Sequence, residues 1–407
     1  MADKFGLLGQ KLGHSWSPQI HTLLCGYDYA LIEKEPEQVA EFLAETDLAG
    51  MNVTIPYKKT VVPFCTALSD AARAIGSVNT LVKTPSGWFG DNTDYAGFVA
   101  MTEQCGVPVS GKKALVFGSG GASLAVIAAL RDLGADPIVN ISRSGADNYD
   151  NLDRHADASI LVNATPLGMY PNTGVSPAEL DRFPACEAVL DVVYNPARTK
   201  LLLDAEARGI PHAGGLIMLV AQARRSAEQF AKTAIPDSRV REIADILERQ
   251  MRNIILIGMP GCGKSTVGRR LARKLGRPFI DADTVLAEEA GMTIPEIFAS
   301  EGEEGFRRRE TAVLSRLGMG SGAIIATGGG CVTRQENYPL LHQNGVIVWL
   351  RRDLKNLPTA GRPLSQRNAP ETLYEQRKDK YAAFADITVD SDEVIYHTVT
   401  KIWEAIR

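Results

Sequence analysis

The hydrophobic pattern of this chain alternates short apolar runs with helical stretches. In the first half, residues 113–118 form an apolar run that ends in glycine, and a helical pattern follows over residues 122–133. Further apolar runs predict strands at 137–142, 160–163 and 189–194. Strand, glycine turn, helix and strand in alternation predict a parallel, doubly wound sheet.

The same pattern restarts near residue 250, where we place a domain boundary. A charged helical segment over residues 237–252 is followed by an apolar strand at 253–258, by more glycines and by a basic helix. Later segments predict a helix around 285–290 and strands at 277–281, 323–326 and 345–350. The fold class is therefore α/β throughout, and no internal repeat relates the two halves.

Length and composition narrow the class of protein. At roughly 150 residues per domain, 407 residues predict two or three domains. The 44 basic and 48 acidic residues leave a net charge of −4, which argues against a strongly basic nucleic-acid binder, and 45% apolar residues exclude a disordered chain. No run approaches the roughly 18 apolar residues of a membrane span.

Localisation and thiol chemistry follow from the same inspection. The first residues lack a basic segment followed by an apolar stretch, so we expect no secretory signal and a cytoplasmic protein. The six cysteines and six histidines are dispersed. We expect reduced thiols and no structural zinc site.

The second half carries a phosphate-binding signature. Residues 258–265 fit G-x-x-x-x-G-K-S, between an apolar strand and a helix. Gly261 and Gly263 let backbone N–H groups surround phosphate oxygens, Lys264 can reach the β- and γ-phosphates, and the Ser265 hydroxyl can ligate Mg²⁺, with Thr266 next to it. A glycine-rich turn with a surface lysine is the alternative. The motif identifies a nucleotide, with Mg²⁺ at Ser265, but it does not identify the phosphate acceptor.

Residues further along supply candidates for the acceptor site. Asp281 and Asp283 follow the next strand, and alternation predicts that both carboxylates lie on one face at its carboxyl end. One could hold Mg²⁺ and the other could accept a proton from a hydroxyl. Other candidates are the glycines at 328–330, after a strand end, and the arginines Arg307, Arg362 and Arg377.

Together these motifs resemble shikimate kinase over about residues 252–407. The resemblance implies that Asp283, Arg307, Gly329 and Arg377 hold shikimate, with both arginines on its carboxylate. It also implies that Asp283 contacts the hydroxyl that is phosphorylated, that Lys264 and Arg362 reach the phosphates, and that Ser265 and Asp281 organise Mg²⁺. For Arg308 and Arg309 we expect a solvated helix face.

A second glycine turn, in the first half, predicts a dinucleotide site. Gly118, Gly120 and Gly121 join a strand to a helix, with Ala122 next and Ser123 in place of the third glycine of G-x-G-x-x-G. Alone, this pattern also fits a plain tight turn. The following strand ends in Ser142, Arg143 and Ser144, where a reader of NAD would carry a carboxylate. The arginine between two serines suits the 2′-phosphate of NADP, so we expect NADP and not NAD as the cofactor.

The N-terminal region offers polar residues in turns. These are Ser15, Ser17, Thr54, Lys58, Asn79 and Asp94. Reduction of a ketone by hydride leaves a developing alkoxide that needs a proton donor, and a lysine fixed by a carboxylate can be that donor.

These motifs resemble shikimate dehydrogenase over about residues 3–248. The resemblance implies that Lys58 and Asp94 form the catalytic pair. The residues that it places on the substrate are Ser15, Ser17, Thr54, Asn79, Tyr194 and Gln222, and those on the nicotinamide side of NADP are Thr165, Gly215 and Met218. Only residues 145–159 separate Arg143 from the next strand, and this segment is shorter than is usual in that family. We expect the difference to affect the part of the fold beside the adenine of NADP.

The two resemblances predict one bifunctional enzyme of the shikimate pathway. It would reduce 3-dehydroshikimate with NADPH and then phosphorylate shikimate with Mg·ATP. The expected domains are a substrate-binding domain at 1–105 with a returning helix at 235–249, a Rossmann-like NADP domain at 106–234 and a P-loop kinase domain at 252–407. We expect small-molecule partners and neither nucleic acid nor membrane.

Three alternatives stay open. The first half could be a quinate-oxidising relative that prefers NAD, against which Arg143 argues. The second half could phosphorylate another small polyol. The chain could also be a metabolite-sensing regulator without catalysis, although Lys58, Asp94, Lys264 and Asp283 are all present and no basic helix-turn-helix segment is visible.

Overall fold

The computed structural model describes residues 3–13, 15–357, 370–392 and 394–407. The chain divides into two compact units. The first comprises Met1–Tyr194 and Thr199–Ile246, and the second Asn195–Arg198 and Leu247–Arg407. The α/β fold class is confirmed, because strands and helices alternate through both units. Among the described residues, no helix is both long and apolar enough to cross a membrane.

The N-terminal part of the first unit is built on a mixed sheet in the order β2-β1-β3-β5-β6-β4. Its strands are β1 (Phe5–Gly9), β2 (Tyr29–Glu33), β3 (Gly50–Val53), β4 (Cys65–Leu68), β5 (Thr80–Thr84) and β6 (Gly87–Asp91). Its helices are α1 (Ser17–Cys25), α2 (Val39–Glu45), α3 (Asp70–Ile75) and α4 (Asp94–Cys105). Strands β1, β2 and β3 are parallel, whereas β5 is antiparallel to both β3 and β6.

The second sheet of the first unit is parallel, in the order β11-β10-β9-β7-β8. Its strands are β7 (Ala114–Phe117), β8 (Ile138–Ile141), β9 (Ile160–Asn163), β10 (Ala188–Asp191) and β11 (His212–Gly214). The helices that follow along the chain are α5 (Gly121–Asp132), α6 (Lys200–Ala207), α7 (Leu216–Ala231) and α8 (Ser238–Met251), and the division between the two units falls within α8. The strand order reverses between β7 and β9, which is where open sheets of this kind bind ligands.

The crossover from β8 to β9 is short. A 3₁₀ segment, Tyr149–His155, stands between the two strands in place of an α-helix. Its start is fixed by Asn148, whose side chain accepts from the backbone N–H of Asp150. The segment still contributes to the core, because Leu152 packs with Phe117 and Leu161.

The second unit has a parallel sheet in the order β13-β14-β12-β15-β16. Its strands are β12 (Asn253–Ile257), β13 (Phe279–Asp281), β14 (Ile324–Ala326), β15 (Gly345–Arg351) and β16 (Ile387–Asp390). Its helices are α9 (Lys264–Leu275), α10 (Ala282–Ala290), α11 (Ile294–Met319), α12 (Asn337–His342), α13 (Pro370–Phe384) and α14 (Ile395–Ala405). Strand β12 is buried along its whole length, as a central parallel strand requires.

Candidate active sites

The first site is centred on an ion pair between Lys58 and Asp94. Lys58 Nζ lies 2.5 Å from Asp94 Oδ2, and the two side chains are 18% and 9% exposed. Asn79 Nδ2 donates to the other carboxylate oxygen at 2.9 Å. Asp94 is the first residue of α4, where the helix dipole also favours a negative charge. The lysine ammonium therefore has a fixed position at the edge of the first sheet.

Backbone hydrogen bonds hold the three segments of this site together. The N–H of Val78 donates to the carbonyl of Lys58 at 2.8 Å, and the N–H of Asn79 donates to the carbonyl of Asp91 at 3.0 Å. The Asn79 side-chain oxygen accepts from the N–H of Thr93 at 2.7 Å. Residues that are far apart in sequence are thus fixed relative to one another before any ligand arrives.

Four other predicted substrate residues lie on three segments of the chain. Gln222 on α7 accepts from Thr93 Oγ1 at 3.4 Å and so joins the Asn79 cluster. Ser15 and Ser17, at the start of α1, contact each other at 3.1 Å. Thr54, directly after β3, is anchored through its backbone N–H on Leu8, the next-to-last residue of β1.

The glycine turn after β7 faces the Lys58 side. Gly121 begins α5, and a Cβ built on it would lie 3.6 Å from Lys58 Cδ and 3.9 Å from Ser77 Oγ. Gly118 has a φ of 120° and would place a Cβ 2.9 Å from the Ala164 carbonyl, so a side chain is excluded there. Open backbone N–H groups at the start of a helix suit a pyrophosphate, and these residues fit a dinucleotide.

The end of β8 carries the residues predicted to read the ribose. Arg143 and Ser144 are exposed, and the turn closes through a hydrogen bond from the N–H of Ser142 to the carbonyl of Asp147. The Asp147 carboxylate in that turn is paired with His155 at 2.9 Å. Arg143 is thus an exposed positive charge at the end of β8, and a guanidinium there suits a phosphate.

Two residues predicted for the nicotinamide side, Thr165 and Gly215, and one predicted for the substrate, Tyr194, follow three neighbouring strands. Thr165 lies after β9, Tyr194 after β10 and Gly215 after β11. The N–H of Gly215 donates to the carbonyl of Val193 at 3.0 Å. Met218 on α7 packs against α4, because a Cβ on Gly97 would lie 2.6 Å from the Met218 carbonyl oxygen. The structure thus brings these segments to one edge of the parallel sheet.

The second site begins at the loop between β12 and α9. Gly258, Gly261 and Gly263 have φ angles of 141°, 84° and 102°, which other residues rarely adopt. Lys264 is buried at 8% exposure, and its Nζ donates to the carbonyls of Gly258 at 2.8 Å and Met259 at 3.1 Å. A helix N-terminus above a glycine loop with a lysine suits a nucleotide phosphate.

Ser265 and Asp281 lie together next to this loop. Ser265 Oγ donates to Asp281 Oδ2 at 2.6 Å, whereas Thr266, the next residue, is exposed. A hydroxyl and a carboxylate are the oxygen ligands that Mg²⁺ takes from proteins while it keeps water and phosphate oxygens. The donor set therefore fits this ion.

The alternation argument for Asp281 and Asp283 is wrong. Asp281 is the last residue of β13, but Asp283 already lies in the first turn of α10, and its backbone N–H donates to Asp281 Oδ1 at 3.2 Å. Asp281 is therefore a helix cap as well as a neighbour of Ser265. Burial raises the pKa of Asp283, with Asp281 adding to the effect, while the charges of Lys264 and Arg307 oppose it.

A buried ion pair on α11 faces Asp283. Arg307 NH1 lies 2.6 Å from Glu310 Oε2, and both side chains are almost fully buried. Gly328 separates Asp283 from Glu310, since a Cβ built there would lie 2.8 Å from the first and 2.5 Å from the second. A Cβ on Gly330 would collide with the Arg307 guanidinium at 2.1 Å. The glycines after β14 thus make room for these charged groups.

Arg377 on α13 approaches the same glycine segment. Its NH1 donates to the carbonyl of Gly329 at 3.2 Å, and the Tyr381 hydroxyl donates to the same oxygen. Arg307, Arg377 and Gly329 are therefore brought together. Arg362 lies outside the described residues. Arg309 pairs with Glu301 at 2.7 Å, and Arg308 is exposed.

Comparisons with known proteins match the two halves separately. The family described as "Shikimate dehydrogenase substrate binding domain" matches residues 7–81, and the one described as "Shikimate kinase" matches residues 260–407. A shikimate dehydrogenase (NADP(+)) from Clostridium perfringens is 37% identical over 248 residues, which cover 55% of this chain and 90% of the relative. The chain belongs to the shikimate dehydrogenase family. It also carries a shikimate kinase domain.

Solved structures of shikimate dehydrogenases resemble the same part of the chain. A chorismate mutase/shikimate 5-dehydrogenase fusion protein from Clostridium acetobutylicum matches with a TM-score of 0.58 and 35% identity, covering 61% of this chain and 98% of that one. The Thermus thermophilus shikimate 5-dehydrogenase, described in complex with NADP(H) and shikimate, matches with a TM-score of 0.55 and 30% identity, covering 60% and 99%.

Sequence reasoning missed Glu310 in the kinase domain and Thr93 in the dehydrogenase. Glu310 is 2% exposed, and burial raises its pKa despite the opposing charge of Arg307. The signal was present, because residues three apart on a helix are neighbours and a carboxylate at that spacing can hold an arginine. Thr93 connects Asn79 with Gln222, a contact that no local pattern indicates.

Glu310→Gln keeps the side-chain shape and removes the charge that faces Arg307. In the kinase domain we expect the KM for the phosphate acceptor to rise about tenfold or more, because a buried arginine without its carboxylate leaves its position. The KM for ATP should change little. Steady-state kinetics with both substrates varied measures this, with Arg308→Gln on the exposed side of the same helix as control. If the Glu310→Gln enzyme is active and its KM for the phosphate acceptor is unchanged, the ion pair with Glu310 does not position Arg307.

Proposed function

We propose that this chain catalyses two consecutive reactions on one metabolite. The dehydrogenase part reduces 3-dehydroshikimate to shikimate, and the kinase domain phosphorylates shikimate to shikimate 3-phosphate. The observation that carries the proposal is the fixed Lys58–Asp94 pair beside the glycine turn of α5, in a chain whose other part is a shikimate kinase domain. We place both reactions in the cytosol, in keeping with six unpaired cysteines.

In the reduction, Lys58 acts as the general acid. NADPH, when bound, would supply the hydride that the carbonyl carbon of the substrate accepts. As negative charge grows on the carbonyl oxygen, Lys58 Nζ donates a proton to it and the product hydroxyl forms. Asp94 holds the ammonium in place and stabilises its charge, and Asn79 keeps the carboxylate oriented. The lysine is reprotonated from solvent after the product leaves.

The remaining residues of the first site divide between substrate and cofactor. Substrate hydroxyls and carboxylate would be held by Ser15, Ser17, Thr54, Asn79, Tyr194 and Gln222. The cofactor would be held by Gly118, Gly120, Gly121, Ala122, Ser142, Arg143, Ser144, Thr165, Gly215 and Met218. Arg143 suits the 2′-phosphate of NADP because its guanidinium can form two parallel hydrogen bonds with phosphate oxygens.

In the phosphorylation, Asp283 acts as the base and the arginines hold the acceptor. Mg·ATP supplies the γ-phosphoryl group. Arg307 and Arg377 pair with the acceptor carboxylate beside Gly329, and Asp283 accepts the proton of the attacking hydroxyl. Lys264 and Arg362 would neutralise phosphate charge, and Ser265 and Asp281 would hold Mg²⁺. The raised pKa of Asp283 makes its carboxylate a better proton acceptor than an ordinary aspartate.

A coupled assay on the purified full chain tests the proposal. With 3-dehydroshikimate, NADPH and Mg·ATP present, we expect shikimate 3-phosphate as the product. Without ATP the reactions should stop at shikimate, and without NADPH the 3-dehydroshikimate should not be consumed. Failure to consume NADPH, or failure to phosphorylate added shikimate, would contradict the corresponding half. Quinate with NAD, offered in parallel, separates the dehydrogenase from a quinate-oxidising enzyme.

Lys58→Ala removes the proposed proton donor. We expect dehydrogenase kcat to fall about 100- to 10,000-fold, the usual contribution of a general acid. Kinase turnover of the same chain should stay near that of the unchanged protein, which also reports on folding. The neighbouring exposed residue gives the matched control, Lys59→Ala. Near-normal reduction by Lys58→Ala would remove this lysine from the mechanism.

Asp283→Asn removes the proposed base of the kinase. We expect kcat for phosphorylation to fall about 100-fold or more while ATP binding is retained. In the unchanged enzyme, kcat/KM for the acceptor should decrease on acidification at a higher pH than an ordinary aspartate would give, because the raised pKa leaves Asp283 of the free enzyme protonated there. A pH–rate profile measures both the loss of turnover in the variant and the pH dependence of the unchanged enzyme. Asp379→Asn, on the exposed side of α13, is the control. An active Asn variant would exclude Asp283 as the base.

Arg143→Ala removes the cation at the end of β8. We expect the KM for NADPH to rise about 10- to 100-fold, the effect of losing charge-assisted hydrogen bonds to a phosphate. The KM for NADH, which has no 2′-phosphate, should change far less. Initial rates with both cofactors decide this, and Arg131→Ala near the end of α5 is the control. Equal effects on both constants would refute recognition of the 2′-phosphate by Arg143.

A further inference from the structure

Asp191, the last residue of β10, is a fully buried carboxylate that the proposed mechanism does not use. Its relative exposure is 0%. Both of its oxygens accept hydrogen bonds. Oδ1 accepts from Asn163 Nδ2 at 3.0 Å and from the N–H of Val193 at 3.0 Å, and Oδ2 accepts from Thr199 Oγ1 at 2.6 Å. A carboxylate that is completely removed from water and satisfied by three donors is a costly feature in a core.

The first partner extends the network to the loop after β9. Asn163 Oδ1 accepts from the N–H of Thr165 at 3.0 Å and from its hydroxyl at 2.6 Å. Asn163 Nδ2 also donates to the carbonyl of Leu167 at 3.1 Å. The side chain of Asn163 therefore determines the shape of the turn at 163–167, and Asp191 determines the orientation of Asn163.

The second partner extends the network to the loop before α7. Asp191 fixes the N–H of Val193, and the carbonyl of Val193 accepts from the N–H of Gly215. A Cβ on Gly215 would lie 2.1 Å from the Val192 carbonyl oxygen, so the two backbones pack directly on each other. The loops after β9, β10 and β11 are thus all connected to one carboxylate.

We propose that Asp191 is the positioning residue for the nicotinamide side of the cofactor site. This inference rests on the proposed dehydrogenase function. By holding Asn163 and Val193, Asp191 fixes Thr165 and Gly215, the residues proposed for the nicotinamide side. Burial raises the pKa of Asp191 to about 7, against the effect of its three donors. The protonated form of Asp191 also fits this site, because the Thr199 hydroxyl can turn and accept a hydrogen bond from the carboxyl O–H.

Asp191→Ala and Asp191→Asn give opposite expectations. The alanine variant leaves the donors of Asn163, Val193 and Thr199 without a partner. We expect about a 10- to 100-fold loss in kcat/KM for NADPH, with the KM for 3-dehydroshikimate nearly unchanged. The asparagine variant keeps an oxygen for Asn163 and Val193, and its amide can donate to Thr199. It should recover most of that loss.

The experiment measures dehydrogenase kinetics, NADPH binding by fluorescence, and kinase turnover of each full-length variant. If the unchanged chain neither binds nor oxidises NADPH, the proposed function fails first. If that chain is active but Asp191→Ala has the same cofactor constants, the positioning role is refuted. An equal loss toward both substrates, or failure of Asp191→Asn to recover, would also refute it.

A second test begins with the next residue of the network and does not require Asp191→Ala to fold. Asn163→Ala should give the same pattern, since it breaks the same network at the next residue. In the double variant with Asp191→Ala, the loss of NADPH binding should be clearly smaller than the product of the two single effects. Independent effects would show that Asp191 and Asn163 do not act together.

Discussion

Each site depends on a cation that a carboxylate of the same unit holds in place. In the dehydrogenase, Lys58 lies 2.5 Å from Asp94, and in the kinase domain Arg307 lies 2.6 Å from Glu310. A charge removed from water without a partner is destabilising by several kcal/mol, so the buried Arg307 and the partly buried Lys58 depend on their carboxylates. The pairing fixes their positions before substrate binds, and a preformed geometry is the condition for efficient proton transfer and carboxylate recognition.

Glycines allow the backbone to close around these pairs. In the kinase domain, Gly328 and Gly330 leave room for Asp283, Glu310 and the Arg307 guanidinium, which a single Cβ would displace. In the dehydrogenase, Gly121 lies beside Lys58. The glycines after β14 and at the start of α5 thus let charged side chains lie directly against the backbone.

Local motifs were readable from the sequence, and three-dimensional partners were not. The strand, glycine loop and helix around Lys264 follow from neighbouring residues, and the parallel sheets follow from the spacing of apolar runs. The strand alternation assumed for Asp281 and Asp283 failed, because Asp281 accepts from the next turn and starts a helix there. Asp191 was missed because its burial and its three donors are set by tertiary packing, which a single sequence does not display.

The residues of each site come from one unit, and this limits what the covalent link can contribute. Linking two sites raises the local concentration of a shared ligand only as far as the tether keeps that ligand near, and a small product that leaves its site diffuses freely. A fixed one-to-one ratio of the two activities needs no such effect, since one chain carries both. The Lys58–Asp94 and Arg307–Glu310 pairs lie in different units. A destabilised core in one unit therefore need not abolish the chemistry of the other unit.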